Sequence, residues 1–439
     1  MRPSEYRDTV ESLDPDETGE DPEGSDLTGA ETDRDAEQSA GPRGFDRRTA
    51  IGIVAGTVLH AAIARLSAGY GRDRSLWVFG ARGGDAFVGN AKYLFLHVAE
   101  RRPEVRPVWI SGDAGVVRRL RAAGYEAYRA GSPRGLYCTL RAGVACLTQD
   151  YRDVSLPATG GADVAQLWHG IPLKRIGWDA EVPEHPLAVR ICLGYLARRL
   201  SVFVLTSGEL AGPFASGLRV DRDGMAVAGY PRTDALVREI PGENVGVDAA
   251  VVDRLDRAGA GGRLLFYLPT YREWAGSGVE TALDPDALEG FLADRDAHLA
   301  VKPHPMESVN LGDRTGSRVI EVPPGNDVYP LLRRADALVT DYSSVAFDYL
   351  LTGRPVAFYP YDLDRYREER GFYFDYDDVT PGPTATDFEE LLDAMDAVLD
   401  GDEYGSDRAA LRDRFFECPA GEAAERTYRE IYRLLCRNG

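Results

Sequence analysis

From residue 75 onward, short apolar runs alternate with stretches of helical periodicity. The runs are Leu76–Phe79, Val108–Ile110, Val144–Leu147, Val164–Trp168, Val202–Leu205 and Ala226–Val227. After a polar, glycine-rich stretch at 241–262 come Leu264–Leu268, Leu299–Val301, Val319–Glu321, Ala337–Val339 and Val356–Tyr359. Near-continuous apolar runs separated by helix-length segments predict parallel sheets with crossover helices. Two such blocks, split near residue 250, predict an α/β chain of two Rossmann-like domains. The length of 439 residues agrees, because it exceeds one ordinary core. The expected boundaries are 71–250 and 251–410, followed by amphipathic helix over 411–439; its apolar stripe is Leu411, Phe415, Tyr428, Ile431, Tyr432 and Leu435.

Before residue 75 the pattern differs. Residues 1–46 hold fifteen acidic and four basic side chains and almost no large apolar groups. Such a segment cannot bury enough surface to offset its ordering entropy, so a disordered acidic tail is expected. Residues 47–70 read as an amphipathic helix. Ile51, Val54, Val58, Ala62 and Leu66 recur at helical spacing, with arginines at both ends. The uncharged run of about fourteen residues falls short of the roughly twenty that span a bilayer. An interfacial helix lying on a membrane surface fits this pattern, and so does a helix packed on the protein's own core.

Net charge is −20, of which the tail carries −11. Only Lys92, Lys174 and Lys302 are lysines; all other basic side chains are arginine. This bias fits a high-GC, salt-adapted proteome and directs attention to the lysines that remain. The five cysteines are scattered without C-x-x-C spacing, so neither a disulfide framework nor a zinc site is expected, and a reducing compartment is favoured. No acidic cluster resembles a dedicated metal cage, no signal peptide is expected, and neither a cofactor nor a nucleic-acid partner is foreseen.

Polar motifs follow the strands directly. Val164–Trp168 runs into His169-Gly-Ile-Pro-Leu-Lys174, and Leu264–Leu268 into Pro269-Thr-Tyr-Arg272. Leu299–Val301 runs into Lys302-Pro-His-Pro305, and Ala337–Val339 into Thr340-Asp-Tyr-Ser-Ser344. In open parallel sheets ligands bind beyond the carboxyl ends of the strands, so four such clusters predict one interdomain cleft. Ser343 and Ser344 stand at a helix start, where exposed N–H groups and the macrodipole favour anions. An ordinary capped crossover helix is the plain alternative. His169 is suited to general-base work, or to a hydrogen-bonded loop. Lys302 and His304, stiffened by two prolines, suit a diphosphate, or a charged surface turn. Arg232, in Gly229-Tyr-Pro-Arg-Thr-Asp234, is a fork that can grip phosphate or pair with Asp234. Asp341 would repel phosphate and is better suited to orienting a hydroxyl or to a structural role.

These stretches, with Gly89-Asn-Ala-Lys-Tyr-Leu94, Arg370-Gly-Phe-Tyr-Phe-Asp375 and Pro381-Gly-Pro383, resemble the CDP-glycerol glycerophosphotransferases, the teichoic-acid polymerase and primase group. The resemblance runs in order through about residues 75–435. It implies a GT-B fold, with the C-terminal domain binding a CDP-glycerol or CDP-ribitol donor and the N-terminal domain presenting the acceptor. It also implies a final helix crossing back to the first domain. The implied reaction moves an alditol phosphate to an acceptor hydroxyl on a membrane-linked glycan or polymer, releasing CMP at the cytoplasmic face of the membrane. Carried over by motif, His169 is the base and His304 joins it in the catalytic set. Lys174, Arg232, Thr270, Arg272, Lys302, Thr340, Asp341, Ser343 and Ser344 contact substrate. Ile171 departs from the family pattern, where a small hydroxyl residue is expected in bacterial members, and this leaves the acceptor open. Two other functions remain: a GT-B glycosyltransferase using a nucleotide sugar, and a non-catalytic membrane-surface protein on the same scaffold.

Overall fold

Two all-parallel sheets carry the chain, each built from strands too apolar to face water. The computed structural model describes residues 47–67, 71–270, 272, 283–303 and 318–437; the acidic segment and His304 lie outside the described residues. The first sheet has seven strands: β1 (Asp73–Phe79), β2 (Arg106–Ser111), β3 (Ala127–Arg129), β4 (Ala142–Leu147), β5 (Asp163–Gln166), β6 (Val202–Leu205) and β7 (Met225–Val227). Their order is β3-β2-β1-β4-β5-β6-β7. The second has five: β8 (Arg263–Leu268), β9 (Ala297–Val301), β10 (Val319–Glu321), β11 (Ala337–Thr340) and β12 (Val356–Phe358), in the order β10-β9-β8-β11-β12. Register follows the apolar runs, with Val78 beside Ala145 and Val339 beside Tyr267.

Each sheet reverses its direction of growth once. In the first, the chain proceeds outward from β1 to β3, then returns to start again at β4 on the other side of β1. In the second the same reversal falls between β8 and β11. At such points adjacent loops leave in opposite directions and open a crevice beyond the strand ends.

Five helices set the surroundings of the two sheets. Helix α1 (Arg47–Ser67) packs one face on the Leu156–Gly160 turn, where His60 is buried and its Nδ1 donates to the Leu156 carbonyl at 2.9 Å. Gly160 makes this approach possible, since a Cβ there would meet the α1 backbone, 2.8 Å from Ala64 N. Helix α2 (Gly89–Arg101) covers β1 and β2 through an aromatic cluster: Phe95 meets Phe79 edge-on at 5.5 Å and Trp109 at 5.6 Å. Each such pair adds about 0.5–1.5 kcal/mol beyond the area buried. Helix α3 (Leu187–Ala197) lies beside α1. Helix α4 (Val345–Tyr349) follows β11 and passes through a 3-10 turn to Gly353, whose φ of +71° ends it. Helix α5 (Ala423–Arg437) is last, and it lies on the first sheet's layer rather than the second's. Tyr428 stacks on Trp77 at 5.6 Å, and Glu425 meets His97 of α2 at 3.0 Å.

Three differences from the sequence pattern have simple causes. The continuous C-terminal helix is two helices, Gly405–Phe415 and α5, because Pro419 and Gly421 (φ +85°) interrupt it. Strand β3 has only three residues, too few to show a period. The glycine-rich stretch holds a helix, Ala249–Gly261. Its Asp248 side chain caps Ala250 N at 2.8 Å, and Val251, Leu255 and Ala258 are buried at i, i+4 and i+7.

Candidate active site

The crevices of the two sheets face each other, and the chain closes them with little tolerance. Beyond β5 the backbone turns at Trp168, a non-glycine residue with φ of +56°. That conformation is strained and needs outside support. Asn90 of α2 supplies it: its amide donates to the carbonyls of Leu167 at 2.9 Å and Trp168 at 2.8 Å, while its oxygen accepts from Arg232 N at 3.2 Å. Gly170 then runs against the second sheet's loop with φ of +156°. A Cβ there would land on Ser344 Oγ, 2.8 Å from Ser344 Cβ.

His169 stands next to this contact and is exposed. Nδ1 lies 3.0 Å from the Thr148 carbonyl at the end of β4. A carbonyl only accepts, so Nδ1 carries the proton and Nε2 presents a lone pair. Displacement of bulk water by the surrounding protein lowers the histidine's pKa below its ordinary value. The Thr148 hydrogen bond pulls upward, and the Arg232 guanidinium pulls downward. The direction of the shift favours the neutral ring at neutral pH.

Arg232 is an internal brace. Its Nε and Nη2 donate to Asp348 Oδ2 at 3.0 and 2.5 Å, and its Nη1 to the His169 carbonyl at 2.5 Å. Tyr329 OH donates to the same Asp348 oxygen at 2.6 Å. Burial works against the guanidinium's charge, but Asp348, Tyr329 and Tyr230 more than offset it and hold its pKa above the usual arginine value. This corrects two expectations. The arginine's partner is Asp348 rather than Asp234, and its side chain is buried in the wall rather than free to grip phosphate. Asp234 instead caps α5, accepting from Ala423 N at 2.8 Å and Ala424 N at 3.1 Å.

Three other residues expected to face substrate are also inside the wall. Thr340 Oγ1 donates to the Leu268 carbonyl at 2.6 Å and is fully buried. Asp341 accepts from Thr270 N at 3.0 Å, Tyr342 N at 2.5 Å and Arg272 Nη1 at 2.5 Å. Arg272 is spent on Asp341 and Asp362. Strand-end side chains fell inside because the loops after β8 and β11 must satisfy their own backbone groups where they diverge.

The remaining described residues that the sequence singled out, Lys174, Thr270, Lys302, Ser343 and Ser344, are each partly exposed. Ser343 and Ser344 are partly exposed, and neither forms a tight cap: Ser344 makes no capping bond, and Ser343 Oγ meets Val345 N only at 3.4 Å. Thr270 Oγ1 has no hydrogen-bond partner among the described residues. Lys174 Nζ lies 5.2 Å over the Tyr366 ring, and burial lowers its pKa to about 8. Lys174 also bridges to Phe372, while Tyr373 N donates to the Leu173 carbonyl at 2.9 Å, so the Arg370–Asp375 segment closes over the His169 turn. Lys302 Nζ donates to the Pro324 carbonyl at 3.0 Å, and burial followed by the field of Arg82 lowers its pKa to about 8.

Sequence reasoning gave no role to Asn90, Thr148, Tyr329 or Asp348. Of these Asp348 had a signal: a carboxylate within the apolar run Val345-Ala-Phe-Asp-Tyr-Leu-Leu351 must have a buried partner. The third lysine, Lys92, is a buried brace to Asp327 at 2.8 Å and the Glu243 carbonyl at 2.7 Å. A separate cavity of about 450 Å3, lined by Tyr93, His97, Arg101, Pro231, Arg238 and Glu425 among others, includes none of the cleft residues.

Residues 63–433 match the family model described as CDP-glycerol:poly(glycerophosphate) glycerophosphotransferase. The teichoic acid glycerol-phosphate transferase of Staphylococcus aureus (strain NCTC 8325 / PS 47) is 30% identical over 281 residues, which cover 61% of this chain and 70% of that protein. The teichoic acid poly(glycerol phosphate) polymerase of Staphylococcus epidermidis (strain ATCC 35984 / DSM 28319 / BCRC 17069 / CCUG 31568 / BM 3577 / RP62A) is 28% identical over 375 residues, 79% of this chain but 49% of the polymerase. The chain thus spans about half the length of that polymerase. In three dimensions the chain shares its two-domain GT-B fold with the wall teichoic acid polymerase TagF, with a TM-score of 0.68 and 23% identity over 88% of this chain and 97% of that one.

Proposed function

Because the chain belongs to the CDP-glycerol:poly(glycerophosphate) glycerophosphotransferase family, we propose that it transfers glycerol phosphate, or another alditol phosphate, from a CDP-activated donor to an acceptor hydroxyl. The observation that carries this reading is His169: a ring held by Nδ1, with no hydrogen bond to Nε2 among the described residues, beside the contact of Gly170 with Ser344. In the proposed reaction Nε2 removes the acceptor's hydroxyl proton. The alkoxide oxygen bonds to the phosphorus that bears the alditol, and that phosphorus releases its bridging oxygen to CMP. Ser343, Ser344 and Thr270 offer hydroxyl donors to the phosphoryl oxygens, and Lys174 and Lys302 offer charge. Arg232 and Asp348 act through His169, holding its backbone in place. His304 belongs to the proposed set by motif.

The test is nucleotide identity. Incubation with CDP-glycerol, CDP-ribitol and a panel of nucleotide sugars is expected to release CMP from a CDP-alditol alone. Release of a nucleoside diphosphate from a sugar donor would favour the glycosyltransferase reading. Tight binding of a CDP-alditol without turnover would favour a non-catalytic one.

We also propose that the acceptor is membrane-linked and that α1 and α3 rest on the cytoplasmic membrane surface. The support is apolar exposure. Ile51, Val58, Leu59 and Leu66 on α1 and Leu187 and Ile191 on α3 are each between 51% and 68% exposed. By length and composition α1 could cross a bilayer, yet its other face is committed to the Leu156–Gly160 turn, which favours a helix lying on the surface. Arg47, Arg48 and Arg65 at its ends suit anionic headgroups.

A further inference from the structure

His169 is held by a peptide group, and that peptide group is itself held from behind. The Thr148 carbonyl, which accepts from His169 Nδ1 at 3.0 Å, belongs to the same peptide as the Gln149 N–H. In a trans peptide these two groups point in opposite directions. Gln149 N donates to Asp153 Oδ2 at 2.8 Å. A line of hydrogen bonds thus runs from a carboxylate, through one peptide, to the proton on Nδ1. A carboxylate that polarises the N–H makes the carbonyl at the far end a stronger acceptor. Gln166, the last residue of β5, holds the next carbonyl along. Its Nε2 donates to the Gln149 carbonyl at 2.9 Å, and its Oε1 accepts from Trp168 N at 3.1 Å. One buried amide therefore ties the loop after β4 to the strained turn that carries His169.

Asp153 is fully buried, and each of its side-chain partners is a donor. Oδ2 accepts from Thr148 N at 2.7 Å, Gln149 N at 2.8 Å and Thr148 Oγ1 at 3.2 Å. Oδ1 accepts from Gly83 N at 2.7 Å, in the loop after β1. A set made of donors fits the ionised carboxylate. Burial, and after it the charge of Asp150, push the pKa up, and the three backbone N–H groups pull it back. The carboxylate's own place is fixed. The 3-10 turn Tyr151–Asp153 closes with Asp153 N on the Asp150 carbonyl at 3.0 Å, and Tyr151 OH donates to the Leu196 carbonyl of α3 at 3.0 Å. Gly80 lies against the Asp153 carbonyl, where a Cβ would overlap it. A turn by itself needs no buried charge, which is costly to desolvate. This charge joins the ends of β1 and β4 to the peptide that faces His169.

We infer that Asp153 and Gln166 are positioning residues for the transfer: they hold the Thr148–Gln149 peptide so that its carbonyl keeps the proton of His169 on Nδ1 and the lone pair on Nε2. This rests on the proposed transferase reading and deepens it. Both side chains are buried, so both act through His169 rather than on substrate. A carboxylate bonded directly to a histidine does the same work in serine hydrolases. Here one peptide group stands between them. Once that peptide is released, the proton is free to move to Nε2, and a ring in that tautomer has no lone pair there to take the acceptor's proton.

The tautomer is read by nitrogen NMR on the full chain with 15N in the rings of its six histidines. The signal pair lost in His169→Gln belongs to His169. At neutral pH the wild type is expected to show a protonated Nδ1 and a bare Nε2. Asp153→Ala and Gln166→Met are each expected to shift the proton toward Nε2. With CDP-glycerol as donor, each should lower kcat at least about tenfold while KM for the donor stays within about threefold. Asp153→Asn is the conservative variant. Its one amide oxygen, placed where Oδ2 stands, still serves Thr148 and Gln149, so it should restore the Nδ1 tautomer and most of kcat. A wild-type tautomer in Asp153→Ala overturns the inference, as does a wild-type tautomer in Gln166→Met should the alanine variant not fold. Equal losses of kcat in Asp153→Ala and Asp153→Asn would make the carboxylate merely structural and overturn it too. Absence of CMP release by the wild type counts against the transferase reading, and the spectra still decide whether these residues set the tautomer of His169.

Discussion

Asp348→Asn separates a brace from a ligand-binding arginine. The wild-type carboxylate receives three hydrogen bonds on one oxygen, from Arg232 Nε at 3.0 Å, Arg232 Nη2 at 2.5 Å and Tyr329 OH at 2.6 Å, and both charged side chains are buried. Breaking a buried ion pair by removing one charge costs about 3–5 kcal/mol, because the other charge stays behind unpaired. Asparagine keeps the shape and one acceptor, which recovers about 1 kcal/mol. The expected loss is therefore about 2–4 kcal/mol, a large share of a typical domain's stability. It is read as a lower urea midpoint with an unchanged m-value. Because Arg232 also holds the His169 carbonyl, its release displaces the base, and kcat is expected to fall at least tenfold with KM for the donor within about threefold. A change below about 1 kcal/mol with kcat unaltered would refute the brace. So would a lower donor KM, which would mean that the freed guanidinium grips phosphate.

Other outcomes rest on the same geometry. His169→Ala is expected to lower kcat about 10²- to 10⁴-fold. Since the histidine's pKa is lowered, the wild-type rate should rise with pH and level off below 6.5; an acid limb centred at or above 6.5 would contradict the neutral-base assignment. Gly170→Ala forces a methyl onto Ser344 and should cost about 1–3 kcal/mol in thermal unfolding. Adding Ser344→Gly should recover the steric part of that, while the part owed to the backbone at φ +156° remains, and no recovery would place the strain wholly in the backbone. Replacing Ile51, Val58, Leu59 and Leu66 with serine touches only exposed side chains, so the melting temperature should hold while sedimentation with anionic liposomes is lost; undiminished sedimentation would remove α1 from the membrane contact.

Local pattern carried a great deal of this protein. Apolar runs located eleven of the twelve strands among the described residues to within a few residues, because a parallel strand buried on both faces writes its position as a near-continuous apolar run. Polar residues after those runs were legible as cleft residues for the same reason: the chain must turn where the apolar run stops. His169, Lys174, Ser343 and Ser344 were chosen this way, and each is at least partly exposed. What the pattern could not decide was direction. Thr340, Asp341, Arg232 and Arg272 look no different in sequence from residues that face a ligand, yet each is consumed inside the wall. Only the tertiary structure shows this, because the partners lie far along the chain: Asp348 is 116 residues from Arg232, and Asp362 is 90 from Arg272. Sequence alone determines which segments become strands and where chemistry collects at their ends. Which of those polar groups stay free is decided when buried backbone and charge find their partners, and that happens only in the folded chain.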